Sequence, residues 1–225
     1  LIAVLSAVVR PFASSSLDPP ARGFLHVPES ANGNGLVLTH GAGSNAQAPL
    51  LAAVARAFCD AGYTVLRCDL PYRQARPYGP PGPHDAARDR TGLKNAVTAV
   101  KKFAPERIFL GGHSYGGRQA SMLCAEAPDV AAGLLLLSYP LHPPRKPEQL
   151  RTQHFTDLQT QTLFVSGTRD PFGSIAEFEQ AIKSIPGKTM FMSVEGAGHD
   201  LGFKGKARNE DLPAQVLKEF RQFFG

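Results

Sequence analysis

At 225 residues, 43% of them apolar and 19% charged, the chain has the make-up of one soluble globular domain, able to bury roughly 70% of the surface its unfolded form would expose. Its formal charge of +5 comes from scattered Lys and Arg with no basic run interleaved with aromatics, which argues against a nucleic-acid partner. The three cysteines, Cys59, Cys68 and Cys124, are an odd number set inside expected helices or strands, so no secreted disulfide framework is indicated and the expected setting is reducing and cytoplasmic.

The opening "LIAVLSAVVR" is apolar but far shorter than the roughly 20 residues that cross a bilayer, and it lacks the basic start and small-residue cleavage site of a signal peptide. It reads as an N-terminal extension or first strand within residues 1–21, ahead of a single domain over 22–225. The missing initial Met points to a start trimmed or extended relative to the natural one. From there, short apolar runs alternate with amphipathic segments. "GLVLTH" (35–40) is a strand, followed by a helix whose Leu50, Leu51, Val54 and Phe58 share a face. "YTVLRCD" (63–69) is the next strand, and a proline-rich connection spans 70–90 before a helix with Leu93, Val97 and Val100 on one stripe. "RIFLGG" (107–112) runs into an apparent helix, and "GLLLLS" (133–138) precedes a second proline-rich connection over 139–155. "TLFVSG" (162–167), a helix carrying Ile175, Phe178, Ile182 and Ile185, "TMFMSV" (189–194), and a last helix with Leu212, Val216, Phe220 and Phe223 complete the pattern. Apolar residues on consecutive strand positions suit strands covered on both faces, and the alternation predicts an α/β fold with a mostly parallel sheet between helices. The two proline-rich connections line the carboxyl edge of that sheet, where ligands of such folds bind, and neither is long or helical enough to form a separate lid domain.

That edge rule sorts the chemistry. Gly112-His113-Ser114-Tyr115-Gly116 is G-x-S-x-G with a strand before and a helix after, the setting of a strained elbow that lifts a nucleophilic hydroxyl into the open. A serine needs a base, and of the seven histidines His199, on the glycine-rich "VEGAGHDLGF" after the last strand, lies at the right edge. His113 sits in the elbow as a packing or hydrogen-bonding residue, His26 lies in an early strand, and His84, His142 and His154 fall in the long connections. Asp170, just past "LFVSG", is the carboxylate to orient the imidazole, ahead of Asp200, too close in sequence to His199, and Asp157, in a polar loop. For the oxyanion, "THGAGSN" (39–45) offers the N–H of Ala42 beside the N–H of Tyr115, each such donor commonly worth ~3 kcal/mol in the transition state. Gly43, Tyr72 and Arg73, beyond strand ends, are candidates to contact substrate, the arginine through a carboxylate or acyl group. Arg118, on the helix after the nucleophile, reads as a structural residue.

The order Ser114, Asp170, His199 is that of the α/β-hydrolase arrangement. With "THGAGSN", "DLPYR", "GGHSYGGR", "GTRDPFG" and "GAGHDL", the chain from about Arg22 onward resembles the α/β-hydrolase superfamily, in particular its compact lidless group related to the dienelactone-hydrolase-like proteins. Dienelactone hydrolases proper use a cysteine nucleophile, where this chain has Ser114. The resemblance implies an α/β-hydrolase fold and cleavage of a carboxylic ester or related acyl bond of a small molecule through an acyl-enzyme, with no metal or organic cofactor. Peptidase, amidase or thioesterase action uses the same groups, and some members of the superfamily are non-catalytic interaction proteins.

Overall fold

A computed structural model describes residues 7–204 and 208–225. Eight strands form one sheet: β1 (Val8–Ala13), β2 (Arg22–Val27), β3 (Gly35–Thr39), β4 (Thr64–Asp69), β5 (Ile108–His113), β6 (Gly133–Leu137), β7 (Thr162–Gly167) and β8 (Thr189–Val194), in the order β1-β2-β4-β3-β5-β6-β7-β8. From β4 to β8 neighbouring strands are parallel, with Val37 of β3 opposite Leu66 of β4 and Leu110 of β5. β1 and β2 add an antiparallel margin beside β4. The six strands expected from apolar runs are all present, within a residue at each end. The opening segment forms β1 from Val8 onward, and residues 1–6, also part of that expectation, lie outside the described residues.

Among the described residues six α-helices flank the sheet: α1 (Pro49–Asp60), α2 (Pro71–Ala75), α3 (Asp85–Val100), α4 (Tyr115–Glu126), α5 (Ile175–Ala181) and α6 (Leu212–Phe224). Side chains on a strand alternate between faces, so each apolar run feeds two cores. Leu36, Leu38, Leu135 and Leu137 join Leu51, Val54 and Phe58 of α1 and Val216 and Phe220 of α6 on one face. Val37, Leu134 and Leu136 join Leu93 and Val97 of α3, Leu123 of α4 and Phe178 of α5 on the other. Phe220 anchors the first layer, with its ring edge-on to Phe58 at 4.9 Å and to Phe109 at 4.8 Å. Burying one such side chain is worth about 1.5–3 kcal/mol.

Two boundaries differ from the sequence reading. The first proline-rich connection is partly helical, because Pro71 opens α2, where its missing N–H costs nothing, and α3 already begins at Asp85. The stripe through Ile175 and Phe178 ends with α5 at Ala181, and Ile182 continues in a 3₁₀ turn (Ile182–Ser184). Among the described residues no segment forms a separate lid, and no helix is long and apolar enough to cross a membrane.

Candidate active site

Every residue singled out for chemistry follows the carboxyl end of a strand: Ala42 after β3, Ser114 after β5, Asp170 after β7 and His199 after β8. Ser114 has φ 52° and ψ −118°, a left-handed conformation that a side-chain-bearing residue adopts at a cost of about 1–3 kcal/mol. Its N–H is held by the Leu137 carbonyl of β6 at 2.9 Å. The glycines beside it permit contact that no larger residue would. A Cβ on Gly116 would stand 2.5 Å from the His40 carbonyl oxygen, and one on Gly112 would stand 2.8 Å from the backbone of Gly116 and Gly117. Strand, elbow and helix therefore close on one another, and Ser114 caps α4, whose first N–H groups and positive dipole end face the hydroxyl's side of the turn.

The structure brings Ser114, His199 and Asp170 into one chain of hydrogen bonds. His199 Nε2 lies 2.8 Å from Ser114 Oγ, and its Nδ1 lies 3.0 and 2.9 Å from the two oxygens of Asp170. A carboxylate can only accept, so Nδ1 carries the ring proton and Nε2 is left bare to accept from the serine hydroxyl. The Asp170 side chain is fully buried, and its Oδ1 also accepts the Phe172 N–H at 2.9 Å. The Phe172 ring lies over the His199 imidazole with centroids 4.1 Å apart, which confines the ring's rotation. His113 fixes the loop from behind: its Nε2–H donates to the His199 carbonyl at 2.7 Å. Burial lowers the His113 pKa to about 4, so near neutrality it is an uncharged ring with that proton in place.

The loop after β3 is braced in the same way. His40, wholly buried, accepts the Leu70 N–H at Nε2 (3.2 Å) and so donates from Nδ1 to the Gly41 carbonyl at 2.9 Å. In a trans peptide the C=O and the following N–H point to opposite sides, so pinning the Gly41 carbonyl turns the Ala42 N–H away from His40. Among the described residues neither the Ala42 nor the Tyr115 N–H has an acceptor within the protein. Tyr72 and Arg73 belong to this brace. Tyr72 Oη donates to the Ala42 carbonyl at 2.8 Å. The Arg73 guanidinium, buried, donates to the carbonyls of Ser44, Ala42, Gly79 and Arg76. With their polar atoms spent on backbone carbonyls, both shape the loop. Gly43 keeps an open flank, with no atom within 4 Å of where a Cβ would stand. Asp200 turns to the Lys204 N–H rather than to His199.

A family model described as an alpha/beta hydrolase domain matches residues 32–224, nearly the whole chain. The chain belongs to the α/β-hydrolase family. Solved structures agree with that fold over nearly all of both chains. A dienelactone hydrolase from Anabaena variabilis is 20% identical and superposes with a TM-score of 0.75, over 97% of this chain and 99% of that one. An esterase from Pyrococcus furiosus is 16% identical (TM-score 0.74; 97% and 92% covered), and a lidless α/β serine hydrolase from Xanthomonas campestris is 14% identical (TM-score 0.69; 96% and 94% covered).

In this α/β hydrolase a cavity of about 440 Å³ lies beside the elbow, lined by apolar Ala48, Leu51 and Phe203 together with His113, Asp200 and Lys204; Ser114 and His199 do not line it. It touches the residues preceding both Ala42 and Ser114. Sequence reasoning missed the supporting roles of His40 and Phe172 and left that of His113 unspecified, because their partners are backbone groups or a ring face.

Proposed function

We propose that this α/β hydrolase is a serine hydrolase that cleaves a small carboxylic ester, with Ser114 as nucleophile, His199 as base and Asp170 as its orienting carboxylate. The observation that carries the reading is the single imidazole that reaches both the Ser114 hydroxyl, at 2.8 Å, and the buried Asp170 carboxylate, at 2.9 Å. Ser114 Oγ attacks the ester carbonyl carbon as His199 Nε2 takes its proton, and Asp170 stabilises the imidazolium that forms. The carbonyl oxygen becomes an oxyanion against the N–H groups of Ala42 and Tyr115, with the start of α4 adding its dipole. The carbon–oxygen bond to the alcohol then breaks, and the alcohol leaves with the proton from Nε2. A water molecule, losing a proton to Nε2, attacks the acyl-enzyme, and the acid departs as Oγ regains that proton.

The esterase and lidless serine hydrolase among the structural neighbours support the ester reading, and thioester or amide cleavage would draw on the same groups. We infer a reducing, cytoplasmic setting from Cys59, Cys68 and Cys124, which are buried and unpaired. Ser114→Ala should abolish turnover of a short p-nitrophenyl ester while leaving the circular dichroism spectrum intact, and a fluorophosphonate should label Ser114 in the wild type. Full turnover in the Ser114→Ala protein would overturn the assignment. A wild type that neither turns over esters nor takes the label would overturn the serine-hydrolase reading and favour a non-catalytic interaction role.

A further inference from the structure

Asp89, on α3, is wholly buried and has no ion-pair partner among the described residues. It is nonetheless fully used. Oδ2 accepts the hydroxyl of Tyr115 at 2.8 Å, and Oδ1 accepts the backbone N–H of Tyr72 at 3.0 Å. Those two tyrosines reach the two halves of the oxyanion site. Tyr115 supplies one N–H and opens α4. Tyr72 donates its own hydroxyl to the Ala42 carbonyl, and its ring stands edge-on to that of Tyr115, with centroids 5.9 Å apart. One carboxylate on a third element thus bonds both to the helix and to the tyrosine that braces the loop, on either side of the oxyanion site.

We infer that Asp89 is a positioning residue for the oxyanion site, holding Tyr115 and, through Tyr72, the Ala42 loop at the separation that the transition state requires. The inference rests on the serine-hydrolase reading above. A purely structural explanation fits poorly, because a buried carboxylate without a cation is costly and an amide of the same shape would serve packing as well. Burial does push the Asp89 pKa upward, the direction expected of a group held against its solvation preference. A charged acceptor gives the shorter and stiffer bond to the Tyr115 hydroxyl. That stiffness matters where two donors must sit within a few tenths of an ångström of a developing charge.

The test sets rate against stability. Asp89→Asn retains an acceptor for the Tyr72 N–H but replaces the charged acceptor facing Tyr115. It should lower kcat for a neutral p-nitrophenyl ester by about tenfold or more, less than the loss of a donor itself, with KM within about threefold and the melting temperature unchanged or raised. Tyr115→Phe should lower kcat in the same way, and the double variant should be no slower than the slower single one, since both cut the same link. An unchanged kcat in Asp89→Asn, or an additive double variant, overturns the inference. A kcat that falls only in step with the melting temperature overturns it too. Should Asp89→Asn fail to fold, Tyr115→Phe decides alone, with tenfold slower turnover in support and wild-type turnover against. Fluorophosphonate labelling of the wild type separates the two levels. If Ser114 takes the label and kcat is insensitive to Asp89, only this inference falls; if Ser114 takes none, both fall.

Discussion

A single proton decides what His199 can do. Asp170 accepts at Nδ1, so the neutral ring is held with its acceptor nitrogen toward Ser114. Asp170→Asn would present an amide to Nδ1, and an amide N–H stabilises the opposite tautomer, with the proton on Nε2, where it blocks the serine. Turnover of a short p-nitrophenyl ester should fall by about three to four orders of magnitude with KM little changed, and fluorophosphonate labelling should slow in parallel. A loss below tenfold in both assays would mean that another group orients the ring. The residues of this relay were legible in the sequence because each lies just past an apolar run, where the backbone leaves the sheet. The bracing role of Tyr72 and Arg73 was not legible, because the backbone carbonyls they bond carry no letter in the sequence. Asp89 did leave a signal: it sits four residues before Leu93, on the stripe that Leu93, Val97 and Val100 bury, and a charge in such a place asks for a reason.

At the scale of elements, the site depends on how closely α4 approaches the end of β3. Gly116 lies on that contact, and a methyl group there would meet the His40 carbonyl oxygen at 2.5 Å and the Thr39 side chain at 2.6 Å. The first obstacle is backbone, so it cannot swing aside, and α4 must move away from the strand that carries the oxyanion loop. Gly116→Ala should therefore lose about 1–3 kcal/mol of stability and at least tenfold in kcat, read by thermal melting and ester turnover. Gly43→Ala, with open space around its Cβ position, should melt at the wild-type temperature. Equal melting temperatures for the two variants would remove the close approach as the reason for glycine at 116. β3, β5, β6 and β7 were legible because burial on both faces makes them almost continuously apolar, while β8, a half-buried edge strand, still shows Met190, Phe191, Met192 and Val194. α2 was not, because "LPYRQARPYGPPGPHD" reads as loop wherever proline is taken only as a breaker, yet Pro71 at the first turn starts a helix. β1 and β2 form an antiparallel margin with mixed exposure, which blurs the two-residue period.

Over the whole molecule, the fold buries histidines that its mechanism does not protonate, and this sets its response to acid. Burial is the main cause that lowers His26, His113 and His154 each to about 4 from an ordinary value of 6.5, with Arg67 adding to it at His26 and Arg118 at His154. Their bonds explain why the neutral rings are kept. His26 Nε2 accepts from Arg67 Nε at 2.8 Å between β2 and β4, His113 holds the His199 loop, and His154 Nε2 meets Ser121 Oγ of α4 at 2.8 Å. Since the folded pKa lies below the unfolded one, the unfolded chain binds more protons between pH 6.5 and 4, and stability rises with pH across that window. The contribution is complete above about pH 6.5 and is lost as pH falls toward 4. The lowered carboxylates Asp85 and Glu177 act only at the acid end of this range, where their unfolded forms begin to protonate. The urea midpoint should thus hold steady from pH 8 to 7 and decline from pH 6.5 to 5. His154→Gln, which keeps a polar group for Ser121, should flatten that decline by the share of that one ring, about one proton. A midpoint indifferent to pH over the same interval would mean that these rings charge in place, and that the bonds tying β2 to β4 and α4 to the second long connection do not depend on their neutrality.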